Sequence, residues 1–266
     1  MTAYVHGYET RENERLHDQA GTLAELLHWD TGYIDGSCVL EAACGVGAQT
    51  VRLARNSSGA RFVAVDISED SLAQARDRVR GADLDNVTFE QGDLFNLRFD
   101  NESFDHVFVC FVLEHLEKPL NALRVLKRLL KPGGTITVIE GDHGSAQFHP
   151  DSEAARDAIR ALVEVQRRSG GDAMIGRRLF PLLSAAGFQE VHVSPRFVYV
   201  DSSKPELVDG FTKKTFTAMV EGIRERAIQA DVITAARFDE GVRALYRTAD
   251  EDGVFCYTFF KAVATK

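Results

Sequence analysis

No apolar run in this 266-residue chain approaches the ~20 residues that a membrane-spanning helix needs, so no membrane partner is expected. Cysteine is scarce. Cys38, Cys44, Cys110 and Cys256 show no paired spacing, which argues against a disulfide framework and offers no metal-ligand set. Reduced thiols in a cytoplasmic protein are the expectation, with no metal. Positive charge is short too: 31 Lys and Arg stand against 40 Asp and Glu, a formal net charge of −9. A long phosphate-binding surface does not fit that balance, and no basic stretch is interleaved with aromatics, so nucleic acid is not an expected partner. The opening residues 1–16 are polar and mixed in charge, with neither an apolar signal core nor an Arg-rich, acid-poor pattern. Internal repeats, low-complexity tracts and Pro/Gly/Ser-rich linkers are absent. A single domain over residues 1–266 is therefore expected, as a monomer or a homodimer.

What is present is an alternation of strand and helix. "CVLEA" (38–42) is an apolar run suited to a strand buried on both faces, and "RFVAVD" (61–66) is a second. Between them "GAQTVRLARNS" reads as a helix. "SEDSLAQARDRVRGA" opens with Ser68 as N-cap and acids in the first turn. There follow "VTFEQGD", "FDHVFVCFVL", the helix "PLNALRVLKRLL", a turn at "KPGG" and the strand "TITVIE". Successive units of this kind predict a parallel sheet with right-handed crossovers. Beyond residue 140 the pattern changes. A helix capped by Asp151 or Ser152, a helix "GRRLFPLLSAAGF", the strand "EVHVSPRFVYVD", a helical stretch over about 204–249 and a last strand "GVFCYTFFKAVA" are expected. Residues 1–36 carry one amphipathic helix.

The stretch "VLEAACGVGAQT" (39–50) runs from the first strand into a glycine turn. A dinucleotide fingerprint would read G-x-G-x-x-G, and its third glycine position holds Thr50 here. Glu41 ends the strand, at the sheet edge where ligands of open parallel sheets sit. A carboxylate there repels a pyrophosphate and suits a ligand with positive charge. S-adenosylmethionine carries a sulfonium and an ammonium and no phosphate. Asp66 ends the second strand, where a carboxylate accepts the hydroxyls of a ribose, although Ser68 and Glu69 beside it also suit a helix cap. Asp93, in "EQGDLF", ends the third. Three acids at three successive strand ends are a stronger signal than any one of them.

These residues resemble the class I S-adenosylmethionine-dependent methyltransferases. Their first motif, E/D-x-G-x-G-x-G, corresponds to Glu41-x-Ala43-x-Gly45-x-Gly47, with Ala43 in place of the first glycine. The resemblance continues through Asp66, Gly92-Asp93-Leu94, "FDHVFVCFVLEHL" and "LKPGGTITVIE", covering about residues 37–141 in detail and the last strands more loosely. It is similar to the small-molecule branch that includes the ubiquinone and menaquinone enzymes. It implies a Rossmann-like α/β fold: seven strands in the order 3-2-1-4-5-7-6, the last antiparallel, with helices on both faces and helical lid insertions. Residues 1–36 become an N-terminal lid, 37–141 the cofactor-binding core and 142–266 the substrate-side half. The implied cofactor is S-adenosylmethionine, leaving as S-adenosylhomocysteine. Cofactor binding falls to Glu41, Ala43, Gly45, Gly47 and Gln49, to Asp66 and Ile67, to Asp93 and Leu94, and to Phe111, a candidate wall against the sulfonium.

Methyl transfer is an in-line displacement that needs the nucleophile close behind the methyl group, in a site closed to water. Candidate proton-transfer residues are His143 in "EGDHGS", His115 in "VLEHLEKP", and Tyr8 of the N-terminal lid; His143 is the first choice as general base. Tyr4, Glu140, Asp142, Phe148, Phe197 and Tyr199 are candidate substrate contacts. Arg177 is a candidate partner for a substrate carboxylate, with a solvated helix end as its plain alternative. An aromatic-lined pocket points to a small-molecule acceptor such as an aromatic secondary metabolite, with carbon, nitrogen and oxygen all open. Two other readings stay open: a nicotinamide-dependent oxidoreductase, which Glu41 and Thr50 oppose, and a cofactor-binding sensor or partner subunit without chemistry.

Overall fold

The structure, a computed structural model, describes residues 23–266. Strand β1 (Cys38–Ala42) is the middle of a parallel group. It pairs with β2 (Arg61–Asp66) on one side and β4 (Phe104–Cys110) on the other. Strand β3 (Val87–Gln91) lies outside β2, and β5 (Leu130–Gly141) lies outside β4. The last strand, β8 (Val254–Thr265), runs antiparallel between β5 and β7 (Gln189–Asp201). The order expected from sequence is therefore present, with one addition. The three-residue β6 (Gln147–His149) pairs with residues 254–256 of β8, making eight strands rather than seven. Three residues are too few to show the alternation by which a strand is read from sequence.

The sheet is buried on both faces because its strands are apolar on both. Val39 packs into the layer that holds Leu53, Phe62 and Phe108, while Leu40 and Ala42 pack into the layer of Val107, Leu123 and Ile136. Residues 23–28 form a helix (α1) whose Leu23 and Leu27 join the first layer, as does α2 (Thr50–Asn56) through Leu53. α3 (Glu69–Gly81) starts where read, with Ser68 Oγ accepting from Ser71 N at 3.2 Å and Glu69 and Asp70 in the positive first turn. α4 (Pro119–Leu129) fills the second layer with Leu123, Leu126 and Leu129.

In the second half, α5 (Glu153–Arg168) is capped by Ser152 and not Asp151, whose carboxylate pairs with Arg156. The helix read over "GRRLFPLLSAAGF" is a tight turn, Ile175–Arg178, followed by α6 (Leu179–Ala185). "KPGG" lies within β5, where the ladder shifts register between Phe104 and His106. The stretch over 204–249 is helical throughout its core. α7 (Pro205–Leu207) leads into a wide-turn π-helix, Val208–Thr217, then α8 (Ala218–Gly222), α9 (Arg224–Gln229) and α10 (Ala235–Arg247). Phe211, Phe216 and Phe238 from this stretch share the layer of Phe255, Tyr257 and Phe259 from β8.

The turn after β1 carries strain. Ala43 has φ of +59° and Gly45 and Gly47 have +54° and +77°. Gly47 also lets α3 approach: a Cβ there would lie 2.8 Å from Ala75 Cβ and 2.9 Å from Ala75 Cα. Gly47→Ala should therefore destabilise the protein by about 1–3 kcal/mol through overpacking. Ala43→Gly should stabilise it by up to about 1 kcal/mol, because an L side chain at positive φ costs more than the chain entropy glycine adds. Urea unfolding of the two variants measures both, and opposite signs are the expected result.

Candidate active site

Parallel strands with right-handed crossovers bring the C-terminal ends of β1, β2, β3, β4 and β5 to one edge of the sheet. Glu41 is buried there, and among the described residues its Oε2 has no hydrogen-bond partner. Burial pushes its carboxyl up to about 8; Asp66 adds to the rise and Thr50 opposes it. Asp66 accepts from Gly45 N through Oδ2 at 2.8 Å and from Ser68 N through Oδ1 at 2.9 Å. It ties the glycine turn to the start of α3, and each oxygen retains a second lone pair. Burial raises its carboxyl and the backbone N–H groups of Ser68, Gly45 and Ile67 oppose that.

Ile67 is exposed, Leu94 is half-buried, and Phe95 is exposed beside it, an apolar surface at the ends of β2 and β3. Asp93 is exposed and accepts from Phe95 N at 2.9 Å. A Cβ built on Gly45 would meet nothing within 4 Å, so the turn opens onto free space. Gln49 Oε1 lies 2.7 Å from His28 Nε2. Burial depresses His28 to about 4, so its ring is neutral at pH 7. His28 and Phe95 were not foreseen; neither stands in a recognisable spacing.

Phe111 ends β4 with φ of +57°, and its ring centroid is 5.5 Å from that of Phe259. Glu140 is fully buried and accepts from Val112 N at 3.0 Å and Leu113 N at 2.7 Å. That holds the turn Leu113–His115 on the end of β5 through Oε1, while Oε2 has no hydrogen-bond partner among the described residues. Burial, with the Glu114 charge beside it, keeps the Glu140 carboxyl well above its usual value. Glu114 lies between two imidazoles, 3.4 Å from His143 Nε2 and 3.5 Å from His115 Nε2. Gln166 Nε2 reaches both its carboxylate, at 3.2 Å, and its backbone oxygen, at 3.1 Å. His143 Nδ1 is 2.7 Å from the Tyr257 hydroxyl. Glu114, Gln166 and Tyr257 carry no motif. Glu114 is next to His115 in the chain, but Tyr257 is 114 residues from His143.

Other expected substrate contacts fall elsewhere. The Arg177 guanidinium grips Asp142 in a fork, at 2.6 and 2.7 Å, which takes both out of the role of free substrate partners. On β7, Val198 and Val200 face the core, so Phe197 and Tyr199, 57% and 42% exposed, point away from it. The period of two was readable; which phase faced the core was not. Phe148 is stacked on Phe255 at 6.5 Å, on the aromatic side of β8. Tyr4 and Tyr8 lie outside the described residues, as does most of the proposed N-terminal lid. No group of three or more His, Cys, Asp and Glu able to hold a metal ion occurs among the described residues.

Residues 39–134 match the family model of a methyltransferase domain. An uncharacterized 37.1 kDa protein in a Streptomyces fradiae transposon is 32% identical over 190 residues, which are 70% of this chain and 54% of that protein. The chain thus spans about half the length of that relative. The 27-O-demethylrifamycin SV methyltransferase of Amycolatopsis mediterranei is 26% identical over 242 residues, 88% of this chain and 80% of the relative. Among solved structures, the YcgJ protein of Bacillus subtilis superposes with a TM-score of 0.60 at 15% identity, over 92% of this chain and 98% of its own, a likeness of fold. The family match runs from β1 to the first residues of β5, across the glycine turn and the acid-ended strands, so this part of the chain is a methyltransferase domain of the S-adenosylmethionine-dependent kind.

Proposed function

We propose that the protein moves a methyl group from S-adenosylmethionine to a small-molecule acceptor, a hydroxylated aromatic of the secondary-metabolite kind. The observation that carries this reading is the buried Glu41 carboxyl, whose Oε2 has no partner among the described residues, beside a glycine turn that those residues leave open. Among the described residues no Lys or Arg forms an ion pair with Glu41 or Asp66, so the edge of the sheet suits a ligand that brings positive charge. Glu41 would hold the charged methionine end, Asp66 the ribose through its spare lone pairs, and Ile67, Leu94 and Asp93 the adenine. When bound, the cofactor supplies an electrophilic methyl group on a sulfonium.

The chain's own part is to position and to exclude water. Phe111, Phe259, Tyr257, Phe211 and Phe216 form a cluster of rings around Tyr257 and Phe259, with centroid distances between 4.7 and 5.9 Å. That wall would shield the acceptor and offer aromatic faces to the sulfonium. His143 and Glu114, buried at its edge, would take up the acceptor's proton. The name of the Amycolatopsis relative, 27-O-demethylrifamycin SV methyltransferase, supports an oxygen as acceptor. No helix of the described residues is long and apolar enough to cross a membrane, and the four cysteines are free. We place the reaction in the cytoplasm, catalysed by residues 37–266 as one domain.

Calorimetric titration with S-adenosylmethionine, S-adenosylhomocysteine and NADH tests the cofactor. Micromolar binding of the first two and none of NADH is expected; NADH binding alone would overturn the reading. Asp66→Ala should weaken the S-adenosylmethionine complex by ~1–3 kcal/mol, whereas unchanged affinity would leave Asp66 as a tie between turn and helix.

Glu41 adds a pH signature. Its folded value, about 8, lies above the ordinary 4.5. Its stabilising contribution is therefore complete below pH 4.5 and is lost as pH rises through about 8, at up to about 1.4 kcal/mol per pH unit. Glu41→Gln cannot ionise, so its stability relative to the native protein should be lowest near pH 4 and rise towards pH 8. Cofactor affinity should move the other way. A cation favours the ionised carboxylate, so S-adenosylmethionine binding should tighten by up to about tenfold per unit from pH 6 to 8 and be flat in Glu41→Gln. Parallel slopes in the two proteins would remove Glu41 from the cofactor site.

A further inference from the structure

Three buried side chains from three distant parts of the chain stand in line. The Tyr257 hydroxyl of β8 is 2.7 Å from His143 Nδ1, and His143 Nε2 is 3.4 Å from Glu114 Oε2. They are 1%, 5% and 6% exposed respectively. Each is held from behind. Gln166 grips the Glu114 carboxylate and backbone, and His143 N donates to Ala173 O at 2.9 Å. The phenol oxygen sits over Gly141, where a Cβ would come within 2.4 Å of it. A glycine there leaves space for that oxygen.

The Tyr257 oxygen and His143 Nδ1, 2.7 Å apart, share one proton, and in the arrangement proposed below the phenol donates it to Nδ1. That tautomer puts the ring proton on Nε2, which lies 3.4 Å from Glu114 Oε2 without a formed hydrogen bond among the described residues. The Nδ1 lone pair then faces the phenol. The ring of Tyr257 also touches the aromatic wall, 4.7 Å from Phe259, 5.4 Å from Phe216 and 5.7 Å from Phe211 between centroids.

We propose that Glu114, His143 and Tyr257 form a proton relay for methyl transfer, with the Tyr257 hydroxyl as the member that faces the acceptor. This deepens the function proposed above and rests on it. In the step, the acceptor oxygen forms a bond to the methyl carbon while the carbon–sulfur bond breaks and its electron pair stays on sulfur. The acceptor's proton passes to the Tyr257 oxygen, and the Tyr257 proton passes to Nδ1. Tyrosine ends neutral, and the new imidazolium stands against Glu114. Charge balances: the sulfonium's positive charge is lost and the imidazolium's gained. Tyr257 is the catalytic residue of the three; His143 stores the proton and Glu114 positions the ring and stabilises its charged form.

The test uses the full-length protein labelled with ¹⁵N-histidine, with and without S-adenosylhomocysteine, and the His143 signal assigned by its loss in His143→Gln. The expected result is the Nε2–H tautomer, shifting to a mixture in Tyr257→Phe, which keeps the ring and removes only the hydroxyl. An Nδ1–H tautomer in the native protein overturns the relay. Transfer of tritiated methyl to 1,4-dihydroxynaphthalene, a probe acceptor, gives the second readout. Tyr257→Phe should lower kcat by about 10²-fold or more with KM for S-adenosylmethionine unchanged. Glu114→Gln should do the same to a lesser degree. Equal turnover in Tyr257→Phe, with cofactor affinity intact, would sink the relay and leave the methyltransferase reading standing. Native protein that binds neither S-adenosylmethionine nor S-adenosylhomocysteine would sink the latter, whatever the tautomer.

Discussion

The site depends on one carboxylate that touches no solvent. Glu140 Oε1 gathers the N–H groups of Val112 and Leu113, the first two that follow Phe111 at the end of β4. Two backbone donors leaving a strand would otherwise be orphaned in an apolar layer, at a cost of a few kcal/mol. Meeting them from the neighbouring strand fixes how the chain leaves β4. That exit holds Phe111 at positive φ against Phe259, and three residues later it delivers Glu114 to His143. Glu140 itself then leads, through Asp142, into His143. One side chain thus sets the spacing of both halves of the polar cluster.

Charge elsewhere in the interior is compensated, and the contrast locates the function. The buried Lys261 donates to Asp30 and Thr31, and the same Asp30 pairs with Arg196, so β7, β8 and the end of α1 are clamped by an ion-paired set. Asp142 has the fork of Arg177. A buried ion pair of this kind adds little net stability, because desolvation offsets most of the attraction, but losing one partner is costly. Glu41 and Asp66 have no cation among the described residues, and Glu140 has only backbone donors there, so burial raises its carboxyl well above the usual value. A fold selected for stability alone would have replaced Glu41 by an apolar residue. On the function proposed above, its unfavourable burial at this edge is a cost that a positively charged ligand would offset.

The first half of the chain was legible because its signals are local. An apolar run, an acid at its end and a glycine turn lie within a dozen residues, and parallel strands repeat the arrangement until the acids converge. Ser68 and Ser152 capped their helices because a cap acts over three residues. The substrate side was less legible because its contacts join elements far apart in sequence. Nothing near Arg177 announces that Asp142 will fill its fork, and nothing in "PRFVYVD" says that valine rather than the aromatics turns inward. That phase is decided by the partner: Val198 and Val200 stand opposite Tyr257 and Phe255 in the ladder, on the face where the helical stretch supplies Phe211 and Phe216. Tyr257 was hidden the same way, as one aromatic among several in an alternating strand.

The wide-turn helix over Val208–Thr217 explains why that face can carry both packing and chemistry. A π-helix adds a residue per turn relative to the α form and weakens its own hydrogen bonding, so it persists where side-chain placement repays the loss. Here Phe211 and Phe216 are five residues apart and both meet Tyr257, at 5.7 and 5.4 Å. In an ordinary α-helix that spacing advances well past one full turn and would splay the two rings. Phe216 also stands edge-on to His143 at 6.3 Å. The stretched turn therefore presents two rings to one phenol and keeps water from the His143–Tyr257 hydrogen bond.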